Sequence, residues 1–369
     1  MITNHQTPLL VASNIILIIL LLLLAWPSLS RNDMPPSFKN AIRFLILLFC
    51  LYSFWGADWF HYQYLFGLLK NNPIRSSHLE PFYIWLIKNI TPNYFIFRLV
   101  IWGGALAFLY WTIRVLDLDT GATQFFFVAG FLIWFSYSRA TLAMSIMFFS
   151  AVIISQESCK YRFSHLLLGS IGLLISIFLH KSAVLGVAII AMALLLTVVK
   201  TKTYRVVILL MPIIILGLRY VFVNITDFVS YDDYVGFVAS YAKTNLTLKT
   251  SEMGIGSLVQ NILEKLPYFM TAICGILLQR QRYELPRPIS CIVNILILLV
   301  IISTVLLFVD LFNTKLLSIR LFRFCIIPST ILLSYCWECG LNIYLVKTTL
   351  WLCIISTTYQ LMYAFYVIL

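Results

Sequence analysis

Charge is what this chain has least of: Asp, Glu, Lys and Arg together make up 11% of its 369 residues. That scarcity excludes a disordered chain, which needs high net charge and low hydrophobicity. A hydrophobic fraction of 61% and a mean hydropathy of +0.94 also exclude an ordinary soluble domain, whose apolar content runs near about 45–50%. Ten-residue segments of alternating polarity are missing too, which removes the closed-barrel way of satisfying a backbone in lipid and leaves helices. No internal repeat, low-complexity tract or inverted-repeat signature of the transporter kind is present. His61 and His78 stand without a His-x-x-x-His helix or a tight carboxylate cluster, so no metal site is expected. No cofactor is expected either. The eight cysteines avoid the segments expected outside the membrane, so they build no disulfide framework. Cys336-Trp337-Glu338-Cys339 has redox-type spacing but no βαβ context to support it.

Long apolar runs are what the chain has instead. Leu9–Trp26, Arg205–Val223 and Pro288–Val309 reach the roughly 17–25 residues that span a bilayer. The pattern predicts an all-α polytopic membrane bundle, a single domain over residues 1–369 with about twelve spans. They lie near 9–27, 41–57, 98–116, 124–137, 139–155, 165–180, 183–199, 205–224, 258–278, 289–309, 321–338 and 348–368. The first run lacks a positive n-region and is longer than a usual signal-peptide core, so it reads as a retained helix. Tight hairpins are expected at Ser138 and Lys181.

The net charge of +12 is a matter of topology, and nucleic acid is not an expected partner. Lys and Arg concentrate in the short loops Ser155–His165, Lys200–Arg205 and Gln279–Pro288, the mark of cytoplasmic connections. With those loops inside, both termini face out, although Arg139, Lys181 and the Arg320/Arg323 pair pull the other way. Two long segments, 58–97 and 224–257, then face outward. The first carries Pro81–Ile90, too short to span, which reads as an interfacial or re-entrant helix with Tyr62 among aromatic neighbours at headgroup depth. The second is Tyr-rich and polar, with Tyr231-Asp232-Asp233-Tyr234; loops of such length are usually functional or mobile.

On this reading Asp58, Glu80, Arg139, His180, Arg320 and Arg323 all emerge on one face, and ionisable groups near hydrocarbon point to function. Arg320 and Arg323, at i and i+3, share a helix face and suit a phosphate or pyrophosphate gripped bidentately; headgroup anchoring is the plainer reading. Arg139, beside a hairpin, needs an anion, either a ligand phosphate or a carboxylate such as Asp58 or Glu80. His180, with Lys181 and Ser182, offers an imidazole suited to proton transfer near neutrality, or a structural histidine. Asp58 and Glu80 fit positioning of sugar hydroxyls better than glycosidic acid–base work.

The order of five short elements resembles the EpsG-like branch of Wzy-type polysaccharide polymerases. They are Gly56-Ala57-Asp58-Trp59, Glu80-Pro81-Phe82, Ser138-Arg139-Ala140, His180-Lys181-Ser182-Ala183 and Arg320-Leu321-Phe322-Arg323. The chain departs from that pattern with Trp59 in place of Tyr, and with Phe54-Trp55 where an Arg precedes the Gly. The resemblance implies a glycosyltransferase of the bacterial inner membrane. Its implied work is to join undecaprenyl-pyrophosphate-linked repeat units at the periplasmic or outer face. Membrane lipids and a chain-length regulator protein are the partners it implies. It further implies Arg139 and His180 as catalytic groups, with His180 the general base. Arg320, Arg323, Asp58, Glu80, Tyr62, Lys181, Tyr231, Asp232 and Asp233 would then contact substrate.

Three rivals stay open on the sequence. An O-antigen ligase would leave unligated long chains when lost. A lipid-linked oligosaccharide flippase would line a mid-depth path with polar groups, whereas the spans read as nearly unbroken Leu, Ile, Val and Phe. A non-catalytic assembly partner would tolerate loss of His180 and the arginines.

Overall fold

The computed structural model describes residues 7–29, 34–52, 81–89, 93–137, 140–156, 161–180, 182–198, 206, 210, 212–213, 255–281, 285–309, 321–341 and 343–368. Every regular element among them is helical, and none is a strand. In chain order the helices are α1 Thr7–Ala25, α2 Pro36–Tyr52, α3 Pro81–Asn89, α4 Tyr94–Val115, α5 Thr120–Gly130 and α6 Leu132–Tyr137. They continue with α7 Thr141–Ser155, α8 Arg162–Leu179, α9 Ala183–Val198, α10 Ile255–Gln281, α11 Arg287–Val309, α12 Ile326–Glu338 and α13 Ile343–Ile368.

Four of these are long and apolar enough to cross a membrane: Tyr94–Val115, Arg162–Leu179, Ile262–Gln281 and Arg287–Leu306. Ala12–Ala25, Thr141–Ser155 and Ala183–Val198 are shorter apolar helices. The chain is thus a helical membrane protein. The span expected at 205–224 lies almost wholly outside the described residues, so the expected twelve are not all in view. The span expected at 124–137 is broken at Phe131 into α5 and α6. α4 is continuous but widens into a π turn at Leu99–Gly103, an arrangement often found beside functional sites.

The ends of the helices are set by local chemistry. Asp119 caps α5, its carboxylate accepting the amides of Gly121 at 3.0 Å and Ala122 at 3.2 Å. Just past α12 and its cap Cys339, Gly340 turns the chain away with a φ of +64° that suits glycine. There the Leu341 amide reaches back to the Cys336 carbonyl at 3.0 Å. α8 runs along little but its own neighbours: Phe163, Leu167, Leu174 and Phe178 face outward, as a lipid-facing helix must.

Two helix-end clusters define the ends of the bundle. At one end the starts of α2 and α5 meet the finish of α12. Lys39 pairs with Asp119 at 3.0 Å, the Asp119 amide donates to Glu338 at 2.7 Å, and Thr123 shares a 2.7 Å bond with Ser334. Gln124 adds a bond to the Lys39 carbonyl at 3.1 Å. Further along, Gln279 donates to Asn294 at 3.1 Å and Asn294 to the Ala193 carbonyl at 3.4 Å, pinning α9, α10 and α11 together. This is the Asp119 end.

Burial tends to raise the Asp119 carboxyl, but the two capping amides and Lys39 more than offset it and hold it below the ordinary carboxylate range. A depressed folded-state value means the stabilisation is complete above about pH 4 and is lost as pH falls through that lower value. Asp119→Ala is expected to lower stability by about 1 kcal/mol through loss of the cap. Thermal unfolding of detergent-purified protein at pH 7 measures this, and the difference from wild type should shrink under strongly acidic conditions.

Candidate functional site

The opposite end is built where α2, α6 and α8 finish and α4, α7, α9 and α12 begin. Arg98, in the first turns of α4, is 3% exposed. It donates to the Cys50 carbonyl at the finish of α2, and its guanidinium lies 4.4 Å from the centre of the Trp102 ring. The Trp102 indole and the Thr141 hydroxyl both donate to the Phe135 carbonyl, at 3.2 and 2.9 Å. One carbonyl thereby joins α4, α6 and α7.

His180 reaches this end through a close antiparallel seam between α7 and α8. Gly169 lies against Ile154, and Gly172 against Ser150 and Ile146. The same register carries His180 level with the first turn of α7. There the chain leaves the helix: His180 has extended backbone (φ −155°, ψ 124°), and its carbonyl accepts the Ala183 amide at 2.9 Å. The tight hairpin expected here is present between His180 and Ala183. His180 is 8% exposed. α3, which begins immediately after Glu80, packs against α8, with Tyr83 and Leu86 buried.

α9 then returns along α7 and meets the beginning of α12. A Cβ at Gly186 would stand 2.5 Å from the Met147 sulfur and 2.9 Å from the Phe324 ring. The helix that follows His180 therefore touches the residue next to Arg323. The α12 segment in turn packs on α10. Tyr268 stacks between Phe131 and Phe322 at 5.5 and 6.2 Å, and Phe269 lies 6.0 Å from Phe322. The Lys265 ammonium sits 5.7 Å over the same Phe322 ring. Glu264 stands one helical turn before Tyr268 on α10. Glu264 is 8% and Lys265 4% exposed.

Of the residues expected at the site, His180 and Arg323 are described, and they lie at the same end of the bundle. Asp58, Tyr62, Glu80, Arg139, Lys181, Tyr231, Asp232, Asp233 and Arg320 lie outside the described residues. Among the described residues no group of His, Cys, Asp and Glu could hold a metal ion. Three charged residues were not anticipated at this end: Arg98, Glu264 and Lys265. Glu264 and Lys265 stand in the first turn of the membrane-crossing stretch Ile262–Gln281 and are almost fully buried. The signal was in the sequence: an adjacent Glu-Lys pair within an apolar run, three and two residues before Pro267, is costly unless partnered.

The family model for EpsG matches residues 40–369. The chain belongs to the EpsG family. EpsG is a Wzy-like polymerase family, so this member's function is of the polysaccharide-polymerase type, with a glycosyltransferase-like activity in a membrane. No curated protein and no solved structure matches the chain.

Proposed function

We propose that this EpsG-family protein joins undecaprenyl-pyrophosphate-linked repeat units at the outer face of a bacterial inner membrane. The observation that carries this reading is a gathering of enclosed ionisable groups at one end of the bundle. His180, Glu264 and Lys265 are buried and Arg323 is half-buried, and they share that end from three places, the finish of α8, α10 and the segment before α12, on a chain otherwise poor in ionisable groups. An acceptor hydroxyl of one unit attacks the anomeric carbon of another, and the bond from that carbon to the pyrophosphate oxygen breaks. The electron pair leaves with the lipid pyrophosphate, so no nucleotide sugar supplies the driving force. Arg139, Arg320 and Arg323 stabilise the charge that develops on the leaving group. His180 accepts the hydroxyl proton. Asp58, Glu80, Tyr62, Lys181 and the loop of Tyr231, Asp232 and Asp233 hold the sugars.

The distribution of basic residues supports the orientation. Lys39, Arg114, Arg162, Arg280, Arg287 and Lys347 stand at or near helix termini of the Asp119 end, and Lys and Arg near span ends favour the cytoplasm. Cysteines placed singly at positions 139, 180 and 320 are expected to react with a membrane-impermeant thiol reagent added from outside. Labelling of these positions from opposite sides would overturn the arrangement.

The function itself is tested by the size of lipid-linked products. Cells lacking the protein should accumulate single repeat units, and the wild-type gene should restore long chains. Long unligated chains in the deletion strain would instead assign the protein to chain transfer, and normal polymer would refute the proposal.

A further inference from the structure

We infer that Gly172 and Ser150 are positioning residues for His180: the close seam they form between α8 and α7 sets how far the imidazole stands from the start of α7. The inference rests on the polymerase reading and extends it to residues that reading does not use. Three observations meet here. A Cβ at Gly172 would stand 2.1 Å from the Ser150 Oγ, but 3.4 Å from the Ser150 Cβ and 3.6 Å from the Ile146 Cγ2. A single hydroxyl oxygen therefore fills the space that the glycine leaves. That oxygen is held where it is, donating to the Ile146 carbonyl at 2.7 Å, and Ser150 is fully enclosed. Three residues before Gly172 and on the same helix face, a Cβ at Gly169 would stand 2.3 Å from Ile154 and 3.0 Å from the Ser150 carbonyl.

Most of α8 faces outward, and its buried residues are Gly169, Ser176 and Leu179. The side turned to α7 thus fixes where α8 ends. α8 finishes at Leu179 with His180 as its cap. α7 begins at Thr141 after Ala140, which follows Arg139 in the sequence. How closely α8 lies on α7 therefore sets the spacing between the proposed base and the helix start that follows Arg139. A general base works only within hydrogen-bond reach of its proton, and a misplacement of about 1 Å can cost about a hundredfold in rate.

Two opposite expectations attach to Gly172→Ala. Alanine is the better helix former, so propensity alone predicts a more stable protein with unchanged turnover. The seam predicts that the added methyl displaces α8, because turning the Ser150 hydroxyl aside would leave a buried polar group without its bond.

The first readout is turnover by the full-length protein in detergent, with the lipid-linked units that accumulate in the deletion strain as substrate. Gly172→Ala is expected to lower kcat about tenfold to a hundredfold with little change in KM, because a base acts in the transition state. Ser150→Ala removes the obstructing oxygen. Alone it should stay within about twofold of wild type, and combined with Gly172→Ala it should recover most of the lost kcat, because the two residues meet directly. The second readout is the labelling rate of His180→Cys in intact cells by a membrane-impermeant thiol reagent. Adding Gly172→Ala should raise that rate several-fold, and adding Ser150→Ala as well should bring it back.

Wild-type kcat in Gly172→Ala overturns the inference, as does a loss confined to KM or a double variant no better than Gly172→Ala. An unchanged labelling rate at position 180 overturns it as well. If Gly172→Ala does not fold, Ser150→Cys, which enlarges the group facing Gly172, takes its place, and wild-type kcat there has the same consequence. Labelling is read without polymerisation, so a wild type that joins no units refutes the activity and leaves the test of the seam standing.

Discussion

His180→Ala is expected to abolish long polymer while leaving single lipid-linked units, with normal amounts of folded protein in the membrane. A general base contributes about 10²–10⁴ in rate, and a polymerase slowed that far adds few units before the donor is consumed elsewhere. The side chain lies at a helix finish where the backbone is already extended, so truncation removes no helical hydrogen bond. Arg139→Ala should give the same product pattern by a different route, through loss of charge stabilisation on the departing pyrophosphate. Lipid-linked products resolved by size distinguish these outcomes from wild type. Long polymer from both single variants would refute the assignment of roles.

Gly186→Val is the second large effect. The bare α-carbon lets α9 lie against Met147 and Phe324 at once, and Phe324 is fully enclosed. A branched side chain must push α9 away from α12, at a cost of about 1–3 kcal/mol for overpacking. It also separates the helix after His180 from the helix that begins near Arg323. Loss of both thermal stability and polymer length is therefore expected. Gly186→Ala should do less, because Met147 is flexible, and Met147→Ala should restore much of what Gly186→Ala loses. Recovery of stability without polymer length would show that the spacing of the two helices matters to the reaction itself.

These expectations draw on different parts of what the chain discloses. The helices were legible in the sequence: α9 begins at Ala183 and α11 finishes at Val309, as their apolar runs indicate. So was the turn at His180, marked by a polar break between two such runs. The break of α5 and α6 at Phe131 was not, although Gly130 stands just before it, because a single glycine in an apolar run costs only about 1 kcal/mol and does not by itself end a helix. Glu264 and Lys265 were visible as charges, but nothing local says which cation or carboxylate lies across from them. The Phe322 ring that meets Lys265 and Tyr268 stands far along the chain.

The sequence by itself determined that this protein is helical and membrane-bound, and that its few charges are informative. A backbone in lipid must satisfy its hydrogen bonds within each segment, so an apolar run of sufficient length specifies a helix without reference to the rest of the chain. Only the tertiary structure decided which helix ends meet. That choice depends on side-chain shape between distant segments, on Gly186 against Phe324 and Tyr268 between Phe131 and Phe322. Such complementarity is a property of pairs of surfaces, and it is what brings α10 against Phe322, just before α12.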